Sequence, residues 1–424
     1  MQIEKDNINN SFNYNGLPCV YAKGKYFLFD PYSIKAASFK EKKKLFEQET
    51  INKLTETGFV LNNYAEFHQK KNEKHYTFIL TTDCNLACDY CYTQSKNEKK
   101  YLDANLAINI FEQTTEKYDQ QLFIQYFGGE PSLNFSTLRK ITEYIKSKND
   151  KAFFYITTNG VMPDNVLKYL CDNNFGFYLS IDGTKEYHDL SRKTLENGGS
   201  YDNVINTLDV ILSKKLSVKI RTTVTEKNVE NMPTFAEQLF LKGAKLLHFA
   251  PIVKVGNAKD YSDFQCERFQ DQFIENLSIV LDLAKKYNAK VITPISLSLK
   301  RPLLPYCKIF DDTQKIIITP EGKQTLCFGA QGEFNPISNK FVFASFKSNP
   351  NSIEYNYSIK EELLSSFQAN LKNNCKLCFA QFFCQGGCFA ENFAENKSFT
   401  ILNQDWCNFN RKIAYFLIMR IIEN

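Results

Sequence analysis

Residues 76–91 read YTFILTTDCNLACDYC, an apolar run rich in aromatic and β-branched residues that leads directly into three closely spaced cysteines. The run predicts a buried strand. Five similar runs follow, separated by amphipathic helical segments, at 122–127, 152–158, 175–181, 218–224 and 245–250. Six strands that alternate with helices predict an α/β fold with a parallel sheet, in an open or closed barrel. The cysteines follow the first strand at its carboxyl end, where a parallel barrel carries its active-site loops.

The composition narrows the class of protein. The chain has 424 residues, of which 43% are hydrophobic, enough for a real core in two to three domains. Its net charge of +5 is too small and too evenly spread to predict a nucleic-acid partner. It contains no apolar run of membrane-spanning length, and its first residues do not resemble a secretion signal. We therefore expect a cytoplasmic protein without a membrane partner.

Cysteine usage is the most informative feature. The chain has 13 cysteines, and in a reducing cytoplasm clustered thiols more often hold metals or carry out redox chemistry than form disulfides. Ten of them fall into the triplet and a C-terminal group of seven. The other three, Cys19, Cys171 and Cys266, stand apart and are interpreted as ordinary buried thiols.

The triplet consists of Cys84, Cys88 and Cys91. Three thiolates on one loop can fill three corners of an iron-sulfur cubane and leave the fourth iron open. The alternative is a zinc site, which needs a fourth ligand from elsewhere. The C-x3-C-x2-C spacing, with Tyr90 before the last cysteine, resembles the radical SAM superfamily. This resemblance implies a partial (β/α)6 TIM-like barrel, a [4Fe-4S] cluster and bound S-adenosylmethionine.

Candidate residues for binding S-adenosylmethionine lie at or beyond the ends of the later strands. Glycines beside Glu130 allow backbone and carboxylate to approach a ligand ammonium, although the same sequence could be a simple turn. Ser180 and Asp182 could contact a ribose, and Arg192 could pair with the methionyl carboxylate or be solvated. The resemblance adds Asn159, near the adenosyl group, and the backbone of 251–253, beside adenine. The full candidate set is Tyr90, Gly128, Gly129, Glu130, Pro131, Asn159, Ser180, Asp182, Arg192 and Val253.

The seven C-terminal cysteines stand at positions 307, 327, 375, 378, 384, 388 and 407. Their long spacing pattern resembles that of the SPASM domain, which holds two auxiliary iron-sulfur clusters. The resemblance assigns four thiolates to an outer cluster and three to an inner one, for a total of three [4Fe-4S] clusters in the protein. The outer set is Cys375, Cys378, Cys384 and Cys407, and the inner set is Cys307, Cys327 and Cys388. The inner cluster is one ligand short, so either Cys266 closes it or one iron stays open to a substrate donor, the alternative that we favour.

Three domains are expected. Residues 1–75 form a small α+β module, 76–290 the barrel, and 291–424 a loop-rich SPASM domain closed by a C-terminal helix. The module combines two short strands, joined by a turn at Gly24, with a basic helical stretch at 39–57. It resembles the winged-helix elements of peptide maturases, in which a leader peptide adds a strand to a sheet edge. The alternative is a structural cap on the barrel.

The resemblance implies a radical SAM oxidoreductase that matures a ribosomally made precursor peptide, with an electron donor such as flavodoxin or ferredoxin. Thioether crosslinking is the expected reaction, with carbon-carbon crosslinking or side-chain oxidation as alternatives. Sulfatase maturation is disfavoured, because related maturases carry an acidic residue where this chain has Phe328. A hypothesis from another class is an electron-carrier or zinc-scaffold protein with purely structural cysteines, which would leave Glu130, Asp182 and Arg192 without a role.

Overall fold

The structure is a computed structural model. It describes residues 5–14, 17–30, 35–57, 59, 73–92, 99–116, 120–254, 257–258, 261, 266–293, 295, 315–329, 337–346 and 353–423.

The N-terminal module contains a four-stranded antiparallel sheet. Its strands pair in chain order: β1 (Phe12–Tyr14), β2 (Leu17–Ala22), β3 (Lys25–Asp30) and β4 (Lys35–Phe39). Lys23 and Gly24 both have positive φ, of 50° and 72°, which suits the two-residue turn between β2 and β3 and confirms the predicted hairpin. Helix α1 (Lys5–Asn9) precedes the sheet, and a 3-10 turn (Lys42–Phe46) and α2 (Gln48–Glu56) follow it.

The main sheet begins with seven parallel strands in consecutive order. They are β5 (Glu73–Thr81), β6 (Gln121–Gly128), β7 (Phe153–Thr158), β8 (Gly176–Ser180), β9 (Val218–Val224), β10 (Leu246–Pro251) and β11 (Lys290–Ile292). The helices between them are α3 (Ala104–Thr114), α4 (Phe135–Lys148), α5 (Asp164–Asp172), α6 (Lys185–Ser191), α7 (Tyr201–Ser213), α8 (Met232–Leu241) and α9 (Glu267–Lys286). The predicted partial (β/α)6 barrel is confirmed, and β11 extends it by one short strand.

Four further strands extend this sheet beyond β5. Strand β12 (Ile316–Ile318) pairs in parallel with β5, and β13 (Lys323–Thr325), β14 (Val342–Phe346) and β15 (Ile353–Tyr355) continue antiparallel from it. The sequence predicts a loop-rich region here. The strands are only three to five residues long, too short to give a clear alternating pattern, so periodicity underestimates them.

The two faces of the parallel strands differ. An added Cβ at Gly160 would meet both Leu179 of β8 and Val204 of α7, so Leu179 faces the helices. Right-handed crossovers between consecutive parallel strands place all their helices on this side. Alternate residues, such as Tyr178 and Ser180, therefore point to the opposite side, which we call the inner face.

The C-terminal region is helical. It contains α10 (Tyr357–Ala369), a π-helical turn (Asn370–Asn374), α11 (Gln381–Cys384), α12 (Phe389–Asn396) and α13 (Gln404–Glu423). The predicted closing helix is confirmed as α13. No described helix is long and apolar enough to cross a membrane.

The chain divides into two compact units, which differ from the three predicted domains. One unit comprises 1–69, 294–310 and 363–424, and the other comprises 70–293 and 311–362. The N-terminal module joins the C-terminal helices because Asn13 donates to the Leu377 carbonyl, at 2.9 Å, and Tyr415 donates to the Tyr21 carbonyl, also at 2.9 Å. Residues 311–362 join the barrel because β12 pairs with β5. The predicted boundaries at 75 and 290 lie within six residues of the unit boundaries.

Candidate active site

The cysteine triplet lies on the loop that leaves β5. This loop is held by the segment after α6, since the amide of Ala87 donates to the Lys193 carbonyl, at 2.7 Å, and Asp89 donates to that of Ser191, at 3.2 Å. The amide of Cys91 donates to the Cys88 carbonyl, at 3.2 Å. The loop therefore has a defined backbone path at the carboxyl edge of the sheet, as the sequence predicts.

Polar groups point at the sulfur atoms of the triplet. Cys84 Sγ accepts from the amide of Leu86, at 3.4 Å, and from Nδ2 of Asn159, at 3.6 Å. Nη1 of Arg192 lies 4.0 Å from Cys88 Sγ. Hydrogen-bond donors and a guanidinium around sulfur favour the thiolate, which is the form that binds metal.

Burial acts in the opposite direction and is the main reason that the pKa of Cys84 and that of Cys88 are raised to about 12. The charge of Glu130 contributes to the shift of Cys84, and Cys91 contributes to both shifts. Bound metal deprotonates such thiols outright. Three half-buried, mutually close thiols with donors aimed at two of the sulfur atoms fit an iron-sulfur cluster with one open iron. Among the described residues no group of three or more Cys, His, Asp or Glu is placed to hold a single metal ion, so the fit rests on donor chemistry rather than on coordination geometry.

Gly128 and Gly129 bring the end of β6 against this loop. An added Cβ at Gly128 would lie 2.3 Å from the Thr81 carbonyl oxygen, and one at Gly129 would lie 2.2 Å from that of Asp83. The amide of Gly129 donates to Thr81, at 2.9 Å, and that of Glu130 donates to Asp83, at 2.8 Å. The glycines are needed because the end of β6 packs closely against the backbone of residues 81–83, and this packing positions the loop that carries the triplet.

Glu130 is fully buried, and its carboxylate is occupied by the protein. It accepts from the amide of Asn159, at 2.8 Å, from the hydroxyl of Thr158, at 2.9 Å, and from the amide of Ser132, at 3.0 Å. Burial raises the pKa of Glu130, and the hydrogen bonds from Asn159 and Ser132 oppose this shift. Glu130 thus ties the end of β6 to the end of β7, and Pro131 begins the 3-10 turn that follows. A contact between Glu130 and a ligand ammonium remains a prediction.

Asp182, Arg192 and Tyr90 form one cluster, in which Asp182 and Arg192 are buried and Tyr90 is half-buried. Nε of Arg192 lies 2.7 Å from Oδ2 of Asp182, and the Tyr90 hydroxyl donates to the same oxygen. The Arg192 guanidinium lies 5.5 Å from the centre of the Tyr90 ring. Burial alone would lower the pKa of Arg192, but the charge of Asp182 raises it well above its usual value. The solvated alternative for Arg192 is wrong, since the residue is only 8% exposed.

The remaining candidates lie at the same edge of the sheet. Asn159 contacts the cysteine loop through Cys84 and through Asn85, whose Oδ1 accepts at 2.8 Å. Ser180 ends β8 on the inner face, and Val253 lies two residues beyond the end of β10. The structure brings all of the predicted cofactor-binding residues to the carboxyl ends of β5, β6, β7, β8 and β10. Their roles toward S-adenosylmethionine remain predictions.

Two buried residues were missed by the sequence reasoning. Asn228 donates to the carbonyl of Asp182, at 2.8 Å, and to that of Thr223, at 2.9 Å. His188 lies against the amide of Asp182, at 3.3 Å, and burial together with the charge of Arg192 lowers its pKa to about 4. Both shape the turn at Asp182. No motif marks them, because a single polar residue in a loop or a short helix is usually solvated.

The outer set of C-terminal thiols is brought together. Burial is the largest cause that raises the pKa of all four thiols, Cys375, Cys378, Cys384 and Cys407. Cys375, Cys384 and Cys407 are each raised further by other thiols of the set, and Cys378 acts on all three. Backbone amides of Ala380 and Gln381 act on Cys378, and Nδ2 of Asn410 donates to Cys384 Sγ at 3.3 Å. Four neighbouring thiols, of which Cys375 is buried and the others half-buried, with amide donors at two of them, fit an iron-sulfur cluster.

The structure does not describe the inner set as a whole. Cys307 lies outside the described residues, and Cys327 and Cys388 belong to different compact units. Cys388 stands immediately before α12, and Cys327 follows β13. The inner cluster therefore stays a prediction. Cys19 and Cys171 are buried, as expected, whereas Cys266 is partly exposed, which corrects its interpretation as a buried thiol.

Phe328, next to Cys327, is part of an apolar cluster. It packs with Ile79, Phe127 and Ile317, its ring centre lies 5.3 Å from that of Phe127, and Nζ of Lys315 lies 3.9 Å from it. This position carries no carboxylate, so it supplies no acidic base.

With this geometry established, comparison with known proteins identifies the class of domain. Residues 78–239 match the model of the radical SAM superfamily. The match begins within β5 and ends within α8, so it includes the cysteine triplet, the Gly128–Gly129 turn and the Asp182–Arg192 pair. The chain therefore contains a radical SAM domain, as its cysteine spacing predicts. The prediction of a radical SAM enzyme is confirmed for this domain.

The chain is also similar to individual curated proteins over part of its length. It is 25% identical over 182 residues to a cysteine-type anaerobic sulfatase-maturating enzyme of Clostridium novyi (strain NT), an alignment that covers 40% of this chain and 49% of that enzyme. The chain thus spans about half the length of this curated relative.

Solved structures show the same fold over most of the chain. Native anSMEcpe with bound AdoMet has a TM-score of 0.64 at 18% identity, over 82% of this chain and 98% of that one. Streptococcus suis SuiB bound to precursor peptide SuiA has a TM-score of 0.55 at 14% identity, over 92% of this chain and 98% of that one. These likenesses extend beyond the barrel and confirm the overall fold class.

Proposed function

We propose that the protein is a radical SAM enzyme that reductively cleaves S-adenosylmethionine and modifies a ribosomally made precursor peptide in the cytoplasm, by thioether crosslinking. A cluster held by Cys84, Cys88 and Cys91, together with S-adenosylmethionine, supplies a 5′-deoxyadenosyl radical when both are bound. The observation that carries the proposal is the convergence of the triplet with Asn159 and the Asp182–Arg192 pair at one sheet edge.

The residues of this edge perform positioning. Glu130 and Asn159 join two strand ends and hold the loop that carries Cys84. Arg192 and Asp182 hold the Cys88 side of the same loop. Residues locked in this way give a cofactor a fixed geometry without reorganisation, which is the main contribution of protein to such chemistry.

Peptide modification is supported by the similar proteins rather than by the geometry of the candidate active site. The sulfatase-maturating relative acts on a protein, and the SuiB structure holds a precursor peptide. Phe328 argues against a sulfatase-maturating reaction, because an aromatic ring cannot act as a base. The predicted open iron of the inner cluster favours a thiolate donor from the peptide, and hence a carbon-sulfur bond. Carbon-carbon crosslinking or side-chain oxidation is the alternative if that iron is closed.

A groove in the N-terminal module provides a site for the leader of the precursor. It has a volume of about 750 Å³ and lies between strand β4 and helix α2. Among the described strands, β4 pairs only with β3, so its other edge is available to hydrogen-bond an extended chain. Ala36 and Ser38 are exposed along it, and Leu54 and Phe59 form an apolar wall. This arrangement suits addition of a leader segment as a fifth strand.

The first experiment tests the radical chemistry. The protein is reconstituted with iron and sulfide under anaerobic conditions, reduced with dithionite or with flavodoxin, and assayed for 5′-deoxyadenosine. We expect product from the native chain and none from the triple variant C84A/C88A/C91A, with a loss of about four irons. Product from the triple variant would refute the assignment of the triplet.

A second experiment tests the groove. The probe is a fluorescent peptide with the sequence of the leader encoded beside the gene, and the variant is Thr50→Trp, which fills the groove from α2. Thr55→Trp on the exposed side of the same helix is the matched control. We expect only Thr50→Trp to weaken binding of the probe. Equal binding of the probe by both variants would favour the alternative, in which the N-terminal module is only a structural cap.

A further inference from the structure

The inner face of β8, β9 and β10 carries a group of basic side chains, two of them cationic and one a histidine. In the register of the sheet, Lys219 lies beside Tyr178, and Arg221 lies between Ser180 and His248. Residues paired in a parallel sheet point to the same side, and Leu179 of β8 faces the helices. Lys219, Arg221 and His248 therefore form one cluster on the helix-free face, which we call the cationic cluster.

This cluster has no counter-charge within reach among the described residues. Neither Lys219 nor Arg221 forms an ion pair there, and Arg221 is exposed. Burial lowers the pKa of Lys219 to about 8, and the charge of Arg221 adds to this shift. Burial also lowers the pKa of His248 to about 3, with further contributions from Arg221 and Lys219. Unneutralised positive charge on a half-buried strand face destabilises the fold and is typical of a ligand site.

Aromatic rings line the same face up to the cluster. Nζ of Lys219 lies 3.5 Å from the centre of the Tyr178 ring, and the ring centres of Tyr178 and Tyr155 are 5.0 Å apart. The row continues through Phe153 to Phe123, with centre separations of 6.1 Å at each step. A ligand at the cluster would therefore meet donors on one side and a flat apolar wall on the other.

The cluster is also close to the candidate cofactor site. Arg221 and Thr223 are two residues apart on β9, about 6.6 Å along the strand, and the amide of Thr223 donates to Oδ1 of Asp182 at 2.9 Å. A group bound at Arg221 would lie one residue pair deeper than the edge where the radical cofactor is expected. This is the distance at which part of a substrate can be anchored while a neighbouring carbon is presented for reaction.

We propose that Lys219, Arg221 and His248 form a carboxylate-binding subsite that anchors the peptide substrate on the inner face of the barrel. The inference rests on the proposed peptide-modifying function and names a chemical feature of that substrate. The guanidinium of Arg221 can bind a carboxylate through two parallel hydrogen bonds, and Lys219 adds a point charge. The neutral ring of His248 can donate one further hydrogen bond. The adjoining Tyr178 and Tyr155 rings suit a peptide segment better than a phosphate, which they would not solvate.

The test measures the reactivity of Lys219 in the full-length, reconstituted protein. Its low pKa gives a large neutral fraction near pH 8, so an acylating reagent labels it readily, and peptide mass spectrometry quantifies the label. Lys151, which is exposed in a turn far from the cluster in sequence, is the internal control. The probes are acetyl-glutamate amide, which offers a side-chain carboxylate, acetyl-alanine, which offers a terminal one, and acetyl-glutamine amide, which offers neither.

We expect a carboxylate probe at about ten times its dissociation constant to lower Lys219 labelling about tenfold, with Lys151 unchanged. The glutamine probe should give no protection. Arg221→Gln should abolish protection and Arg221→Lys should restore part of it. Comparison of the two acidic probes distinguishes an acidic side chain from a peptide terminus.

Equal protection by the glutamine probe, or protection by S-adenosylmethionine alone, would overturn the inference. Formation of 5′-deoxyadenosine by the same preparation is measured in parallel. If that reaction proceeds and no carboxylate protects Lys219, the subsite fails while the proposed radical chemistry stands. If protection is seen without 5′-deoxyadenosine, the proposed radical chemistry fails instead.

Discussion

Arg192 and Asp182 form a buried ion pair, with 2.7 Å between Nε of the arginine and Oδ2 of the aspartate. The other oxygen of Asp182 accepts from the amide of Thr223, at 2.9 Å, and Tyr90 donates to Oδ2. One carboxylate therefore joins the cysteine loop, the end of α6 and strand β9. The sequence reasoning gave Asp182 and Arg192 separate ligand contacts, whereas the structure makes them partners that hold the loop.

Replacement of Arg192 by glutamine should destabilise the protein strongly, because it leaves the buried carboxylate of Asp182 without a charged partner. Removal of one member of a buried pair costs about 3–5 kcal/mol. The matched control is Arg139→Gln, which breaks an exposed pair with Glu143 and should cost about 0.3–0.5 kcal/mol. Urea unfolding of both variants measures the difference. Similar losses for the two would show that the Asp182 pair contributes no more than a surface contact.

Gly129→Ala should displace the cysteine loop, because its Cβ would lie 2.2 Å from the Asp83 carbonyl oxygen. Backbone cannot yield at that distance without moving residues next to Cys84. The control is Gly243→Ala, which also lies in a turn, with a φ of 103° and no heavy atom of the described residues within 4 Å of the added carbon. We expect the iron content after reconstitution to fall by about four atoms only in the Gly129 variant. Full iron in that variant would show that the turn does not support the cluster.

Glu130→Gln separates a structural role from a ligand contact. The carboxylate oxygens of Glu130 accept from backbone amides and a hydroxyl. In the glutamine variant, the side-chain nitrogen would replace one of these oxygens and, being a donor itself, would face another donor. A mismatched buried donor costs about 1–3 kcal/mol, so the melting temperature should fall whether or not S-adenosylmethionine is present. Thr158→Val, which removes one donor to Glu130, is the companion variant and should lose less. An unchanged melting temperature with weakened S-adenosylmethionine binding would instead support a direct ligand contact.

The strands and the triplet could be predicted because their signals are local. Each strand of the barrel is a compact apolar run, and the spacing of Cys84, Cys88 and Cys91 is read directly from the chain. The pairing of Arg192 with Asp182 could not be, since both residues also suit ligand contacts and only the fold turns them toward each other. The strands after β11 are short, and β12 pairs with a strand some 240 residues earlier, which no periodicity reveals. The cationic cluster escaped notice because its three members are separated along the chain and meet only through strand register.

Lys219→Met should raise the melting temperature at neutral pH. The pKa of Lys219 is about 8 in the folded protein, because of burial and the charge of Arg221, against a usual 10.5. The unfolded chain therefore binds the proton more tightly, and the native protein gains stability as pH rises between these two values. The advantage of the methionine variant should be largest below pH 8 and should vanish near pH 10.5. Lys151→Met, in an exposed turn, should show no such trend, and a pH-independent difference for Lys219 would contradict the shift.

Cys266→Ala tests how the predicted inner cluster is completed. Three cysteines of the triplet, four of the outer set and three of the inner set account for all ten clustered thiols. One iron of the inner cluster therefore has no cysteine ligand unless Cys266 reaches it. Cys266 stands immediately before α9 and is partly exposed.

With an open iron, the alanine variant should keep about twelve irons, an unchanged spectrum of the auxiliary clusters and the native yield of crosslinked peptide. Cys171→Ala, which removes a buried thiol from α5, controls for loss of stability. A lost or altered inner-cluster spectrum only in the Cys266 variant would show that Cys266 is the fourth ligand of this cluster. Carbon-carbon coupling or oxidation would then be the better proposal. An open iron can bind a peptide thiolate and hold it deprotonated beside the carbon that reacts, so the native result favours the thioether.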